Sequence, residues 1–234
     1  MSASPEYRSL LRRVVELKDH LLPVVFDPTG SYSDDVFDRT RGFIALTHAE
    51  IEAYIEDRCL ALARQSVRSW HSSKTPSAIT FTLYAMCYSD WVALESPPIL
   101  KKATHEVRIE ARIDNALEQY EQLVGDNHGI KDANLKKLLV PLSVRMKTDL
   151  DPAWLSSMSS FGRKRGQVVH TSARVSQPPD PQATLTTVKK VILPGLAKLD
   201  RLLNQLGTRL IANPPVPKRT IMERLKSAWY SFNR

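Results

Sequence analysis

The sequence predicts an all-α chain, on three observations. Glycine is scarce, at 8 of 234 residues, while Leu, Ala, Glu, Lys and Arg are plentiful, a composition that favours helix over sheet. Apolar residues recur three or four apart over long stretches, the period of a helix with one buried face. Ser4-Pro5, Asp151-Pro152 and Asp180-Pro181 repeat one kind of helix start: a side-chain oxygen for the cap and a proline at the first helical position.

The first helix opens at Ser4-Pro5-Glu6, carries Tyr7, Leu10, Val14, Leu17 and Leu21 on one face, and ends at Pro23. Residues 23–33, with Pro28 and Gly30, read as a loop. A long helix is expected from Ser33 or Asp34 to about Trp70. Its stripe is Phe37, Thr40, Ile44, His48, Ile51, Ile55, Cys59 and Leu62. His48 falls inside that stripe, with Glu52 one turn beyond. Burying such groups unpartnered is costly, so His48 is either a satisfied core histidine or part of a cleft.

Residues 71–98 are the least legible, and Thr80 to Trp91 fits a short helix or an extended segment equally well. After Pro97-Pro98, a helix bearing Ile109, Ile113, Leu117, Tyr120 and Val124 runs to Gly125. Asp126 to Gly129 forms a turn. A short helix over Asp132 to Val140 carries Leu135, Leu138 and Leu139 and is limited by Pro141. Asp151-Pro152 starts a helix through Leu155, Met158, Phe161 and Val169, which Gln177-Pro-Pro179 closes. Asp180-Pro181 starts the last long helix, Leu185 to Leu210, expected to bend at Pro194. Asn213-Pro-Pro-Val-Pro217 is a stiff linker. Ile221, Leu225, Trp229 and Phe232 then give a short basic amphipathic helix. The expected organisation is one helical domain over residues 1–213 and a detachable tail over 214–234.

The net charge of +8 suits a phosphate-rich partner without requiring one. No apolar run is long enough to span a membrane. Cys59 and Cys87 have no metal-ligand spacing, and a reduced, cytoplasmic protein is the simplest account. His20, His71, His105 and His128 have no carboxylate or cysteine at ligand spacing, and there is no glycine-rich phosphate loop. We therefore expect neither a metal nor a cofactor. The four tryptophans read as packing residues.

One stretch concentrates chemistry: Phe161-Gly-Arg-Lys-Arg-Gly-Gln-Val-Val-His170. It joins a basic cluster, which can hold a phosphate, to an imidazole, which can move a proton near neutral pH. Arg and His with six residues between recur at Arg13/His20, Arg41/His48, Arg64/His71 and Arg163/His170, so spacing alone selects nothing. Arg165 and His170 have four between them and lie beside Arg163-Lys164. In an unbroken helix these two positions point about 140° apart. A break at Gly166, a reaching arginine, or a second subunit's helix would be needed to bring them together.

Three ordered blocks carry a family resemblance. They are Arg39-Thr-Arg-Gly-Phe-Ile-Ala-Leu-Thr-His-Ala-Glu-Ile-Glu-Ala-Tyr-Ile55, then Asn127-His-Gly-Ile-Lys-Asp-Ala-Asn-Leu-Lys-Lys-Leu-Leu139, then Asp151-Pro-Ala-Trp-Leu155 with Phe161 to Ser172. Over most of residues 35–205 the chain resembles the RiboL-PSP branch of the HEPN superfamily. The resemblance implies a HEPN-like helical bundle and, in many members, a metal-independent ribonuclease or toxin. It maps the family's Arg and His onto Arg165 and His170, and its second-helix Glu onto Glu52. His170 would exchange a proton with the RNA 2′-hydroxyl or the leaving oxygen. Arg165 would bind the scissile phosphate, and Glu52 would orient His170 or hold Arg165. Arg163, Lys164 and Arg174 would add phosphate contacts, with His48 at the cleft. The products would be a 2′,3′-cyclic phosphate and a 5′-hydroxyl. The partners implied are RNA, a second copy across the Arg165–His170 helix, and an antitoxin or regulatory protein. Many family nucleases place Asn, Asp or His after the Arg, where this chain has Gly166. That keeps open a non-catalytic module that binds RNA, nucleotide or protein. The tail admits an adaptor that docks on a protein or a membrane surface.

Overall fold

The chain is all-helical, and one helix forms its spine. The computed structural model describes residues 3–87, 102–170 and 178–212, with residues 102–108, 169–170 and 211–212 described by backbone alone. The Pro97-Pro98 break, Trp91, Arg174, the linker and the tail helix lie outside the described residues. No strand occurs among the described residues. None of the described helices is long and apolar enough to cross a membrane.

Helix α1 spans Pro5–Leu21, where the cap and proline place it: Ser4 Oγ accepts from the Tyr7 N–H at 3.0 Å. Its buried side chains are Tyr7, Leu10, Val14 and Leu17. Helix α2 runs Asp34–Ser73, 40 residues or about 60 Å. Of the expected stripe, Thr40, Ile44, His48, Ile51, Ile55, Cys59 and Leu62 are buried. Phe37, near the helix start, is half-buried and meets Tyr32 edge to face.

The ambiguous region contains α3, Ala78–Cys87, followed by α4, Lys102–Gly125. Ser77 starts α3: its Oγ accepts from the Thr80 N–H at 3.0 Å and meets Ser66 Oγ at 2.7 Å. A hydroxyl cluster thus anchors a segment whose apolar pattern has no clear period. Helix α5, Asp132–Leu139, passes into a 3₁₀ turn at Val140–Leu142, and α6 is one turn, Met146–Asp149. Helix α7, Pro152–His170, is continuous through Gly162 and Gly166.

Helix α8, Pro181–Thr187, is capped by Asp180, which accepts from the Ala183 N–H at 2.9 Å. A π turn over Val188–Ile192 joins it to α9, Leu193–Ala212. The expected interruption at Pro194 takes this form for a steric reason. In a regular helix the proline ring would meet the Lys190 carbonyl. Widening the preceding turn lets the Leu193 N–H donate to the Val188 carbonyl instead.

Helices α1, α3, α4, α5, α7, α8 and α9 all pack on α2. A buried polar network ties α1, α2 and α9 together. Asp200, 1% exposed, accepts from the Ser4 N–H at 2.8 Å and from the Tyr54 hydroxyl at 3.0 Å, and faces Arg58 Nε at 3.5 Å.

Where α7 crosses α9, the approach is close. A Cβ on Gly195 would lie 2.0 Å from Trp154 Cδ1. Trp154 is buried and donates to the Ile192 carbonyl at 3.3 Å, so the indole is not free to swing away. Gly195→Ala is therefore expected to cost about 2–3 kcal/mol, measured by chemical denaturation. Gly166→Ala, where an added Cβ meets nothing within 4 Å, should instead be neutral or slightly stabilising.

Candidate functional site

Three segments converge on the middle of α2. Residues four apart share a helix face, which puts His48, Glu52 and Glu56 in one row. The turn between α4 and α5 lies against that row. Asn127 Nδ2 donates to Glu56 Oε1 at 2.7 Å and to the Gly129 carbonyl at 3.0 Å, and Asn134 Nδ2 donates back to Asn127 Oδ1 at 3.0 Å. Gly129 has φ +149, a region that favours glycine. The Asp132 N–H donates to Ser159 Oγ at 2.9 Å, fastening the turn to α7.

Helix α7 closes the site. Phe161 is buried and stacks on His48, with centroids 6.4 Å apart and planes at 27°. At Gly162 an added Cβ would lie 3.1 Å from Lys131 Cγ and 3.8 Å from His48 Nε2, so the glycine lets α7 approach. One turn on, Arg165 is half-buried and its charge bears on both His48 and Glu52. Arg163 and Lys164 are exposed, and Arg163 Nη2 donates to Ser160 Oγ at 2.8 Å.

The electrostatics follow from burial and these cations. His48 is 2% exposed, and burial, then Arg165, then Lys131 push its pKa down to about 4. The imidazole is therefore neutral at pH 7. Burial and the neighbouring Glu56 raise the Glu52 carboxyl above its usual range, with Arg165 opposing them. Burial also raises Glu56. His48 Nδ1 stands 3.6 Å from Glu52 Oε2, beyond hydrogen-bonding distance. His48 Nδ1, Glu52 Oε1 and Thr47 Oγ1 have no hydrogen-bond partner among the described residues.

The structure thus brings Arg165, Glu52 and His48 together. It leaves Arg163 and Lys164 on the adjoining surface. His170 is the last residue of α7; its side chain and all of Arg174 lie outside the described residues. Because α7 does not break at Gly166, positions 165 and 170 diverge by about 140° on one helix. Sequence reasoning gave no role to Glu56, Asn127, Lys131 or Gly162. The four-residue row from His48 would have found Glu56. The other three needed the turn's path.

The arrangement can hold an anion on Arg165 beside a carboxyl that is easier to protonate than usual. No group of three His, Cys, Asp or Glu among the described residues could hold a metal. Compared with protein-family models, curated proteins and solved structures, the chain matches none.

The low His48 pKa fixes a sign. The unfolded imidazole takes up a proton near pH 6.5 and the folded one near 4, so stability is full above 6.5 and falls as pH drops between those values. The raised carboxyls act in the opposite direction, so the comparison is made against His48→Leu. From pH 7.5 to pH 4 the wild type should lose about 3 kcal/mol relative to that variant, read from denaturation midpoints across pH.

Proposed function

We propose that this protein is a metal-independent RNA endonuclease of HEPN type, acting as a toxin or a phage-defence effector. One observation carries the proposal beyond the sequence blocks. The charge of Arg165 bears on Glu52 and His48, whose buried Oε1 and Nδ1 have no hydrogen-bond partner among the described residues. An arginine beside such groups is suited to a phosphate, whose oxygens its guanidinium can meet with two parallel N–H groups.

In this reading Arg165 binds the scissile phosphate and stabilises the charge that develops on it. His170 takes the proton from the 2′-hydroxyl, or returns one to the 5′ leaving oxygen. The products are a 2′,3′-cyclic phosphate and a 5′-hydroxyl. Glu52 holds Arg165, and Arg163, Lys164 and Arg174 add phosphate contacts without sequence preference. DNA, lacking the 2′-hydroxyl, is not cut.

The continuous α7 bears on the assembly. Since positions 165 and 170 lie about 140° apart around one continuous helix, the working site in this reading pairs Arg165 of one copy with His170 of the other across a two-fold axis. An antitoxin or regulatory protein would hold such an enzyme in check. The free thiols of Cys59 and Cys87 suit a reducing compartment such as the cytoplasm.

Gly166 favours a second reading. A residue after Arg165 that offers no side chain, with open space around it, withholds a polar contact that many related nucleases have. In that reading the same site binds RNA, nucleotide or a protein partner without cutting.

The test is cleavage of mixed cellular RNA in EDTA. Wild type should cut, and folded Arg165→Ala and His170→Ala should each lose at least about 100-fold. Mixing the two variants should restore roughly a quarter of wild-type activity, because half of randomly assorted dimers carry one intact site. RNA bound but left uncut by a confirmed wild-type dimer would favour the binding reading.

A further inference from the structure

His48 and Glu52 present two buried polar atoms that are unpartnered among the described residues, one turn apart on α2. The His48 side chain is 3% exposed, and Phe161 covers its ring. Leaving such a group unpaired costs free energy, so the pair stores a contact that a small side-chain shift can make: Nδ1 is already 3.6 Å from Glu52 Oε2.

The Glu52 carboxylate lies at Nδ1. A carboxylate favours a proton on the nitrogen it faces. That selects the tautomer with hydrogen on Nδ1, the less common form in a free neutral imidazole. At the other end, His48 Nε2 and the apolar Lys131 Cγ border the same small space over Gly162, at 3.8 Å and 3.1 Å from its would-be Cβ.

We propose that His48 is a positioning residue: as the Nδ1–H tautomer it donates to Glu52 and holds that carboxylate toward Arg165. The proposal deepens the phosphate-site reading and rests on it. The charged groups bearing on the imidazole come from every side: Glu52 on its own helix, Lys131 on the turn and Arg165 on α7. Glu56 and His128 act in turn on Glu52. When a phosphate draws Arg165 away, the His48 N–H remains to keep the carboxylate in place. No proton is transferred.

The test begins with nitrogen NMR of histidine-labelled protein at pH 7, since the two ring nitrogens report which one carries hydrogen. We expect Nδ1–H for His48, shifting toward Nε2–H in Glu52→Ala. Hydrogen on Nε2 in the wild type, or no response to Glu52→Ala, overturns the proposal. This arm needs no RNA, so it decides the tautomer even if the nuclease reading fails. The second arm measures binding of a 2′-O-methyl RNA oligomer, which cannot be cut. His48→Leu should weaken binding about tenfold in the wild type and not at all in Glu52→Ala. His48→Asn, with an amide nitrogen where Nδ1 stood, should restore most of the loss. Equal losses in both backgrounds, with Asn no better than Leu, mean a packing role and overturn it. Where His48→Leu fails to fold, His48→Asn and the NMR arm carry the decision.

Discussion

Enclosure of α2 is the constraint on which the other features depend. With seven helices packed on it among the described residues, its buried polar side chains cannot turn to bulk water. Each must be met by another element. Tyr54 is met by Asp200 of α9, Arg58 by Asn204 and Asp200, and Ser66 by Ser77 and Thr80. These contacts set where α9 and α3 lie. His48 Nδ1 and Glu52 Oε1, like Thr47 Oγ1 beside them, have no such partner among the described residues; Phe161 stacks on the imidazole and the charge of Arg165 bears on both groups. At mid-length the spine therefore carries polar atoms that no other described element meets.

The fold was legible wherever one helix face meets one core. The proline-plus-cap starts of α1, α7 and α8 fall where Ser4, Asp151 and Asp180 put them, because a cap is a local contact that needs no tertiary context. Helix α3 was not legible. It is buried at Ile79, Thr80 and Leu83, while Phe81 and Met86 are exposed, so its apolar residues face in several directions. The π turn was legible only as an irregularity near Pro194, since a proline forbids a regular turn without dictating its replacement.

The candidate site was half legible. Arg165 and Glu52 stand 113 positions apart in the sequence, and no period connects them. Only the ordered sequence blocks suggested that they meet. Lys131 and Asn127 escaped notice because a turn's path depends on what it lands on. The Asn127 amide lands on Glu56, a contact between residues on separate elements. Gly162 was equally silent, since no local rule asks for a glycine there. In the structure it permits close approach: α7 stays helical, and an added Cβ would lie 3.1 Å from Lys131 Cγ and 3.8 Å from His48 Nε2.

The bond from the Ser4 amide to Asp200 spans 196 positions. A chain made from its N-terminal end at roughly 5–20 residues per second takes about 10–40 s between those two residues. From the completion of α2 at Ser73 until Asp200 is made, α1 and α2 exist without α9, with Tyr54 and Arg58 facing the place where Asp200 will later arrive. The side of α2 that α9 will cover therefore stays open to water until nearly all of the described chain has been made.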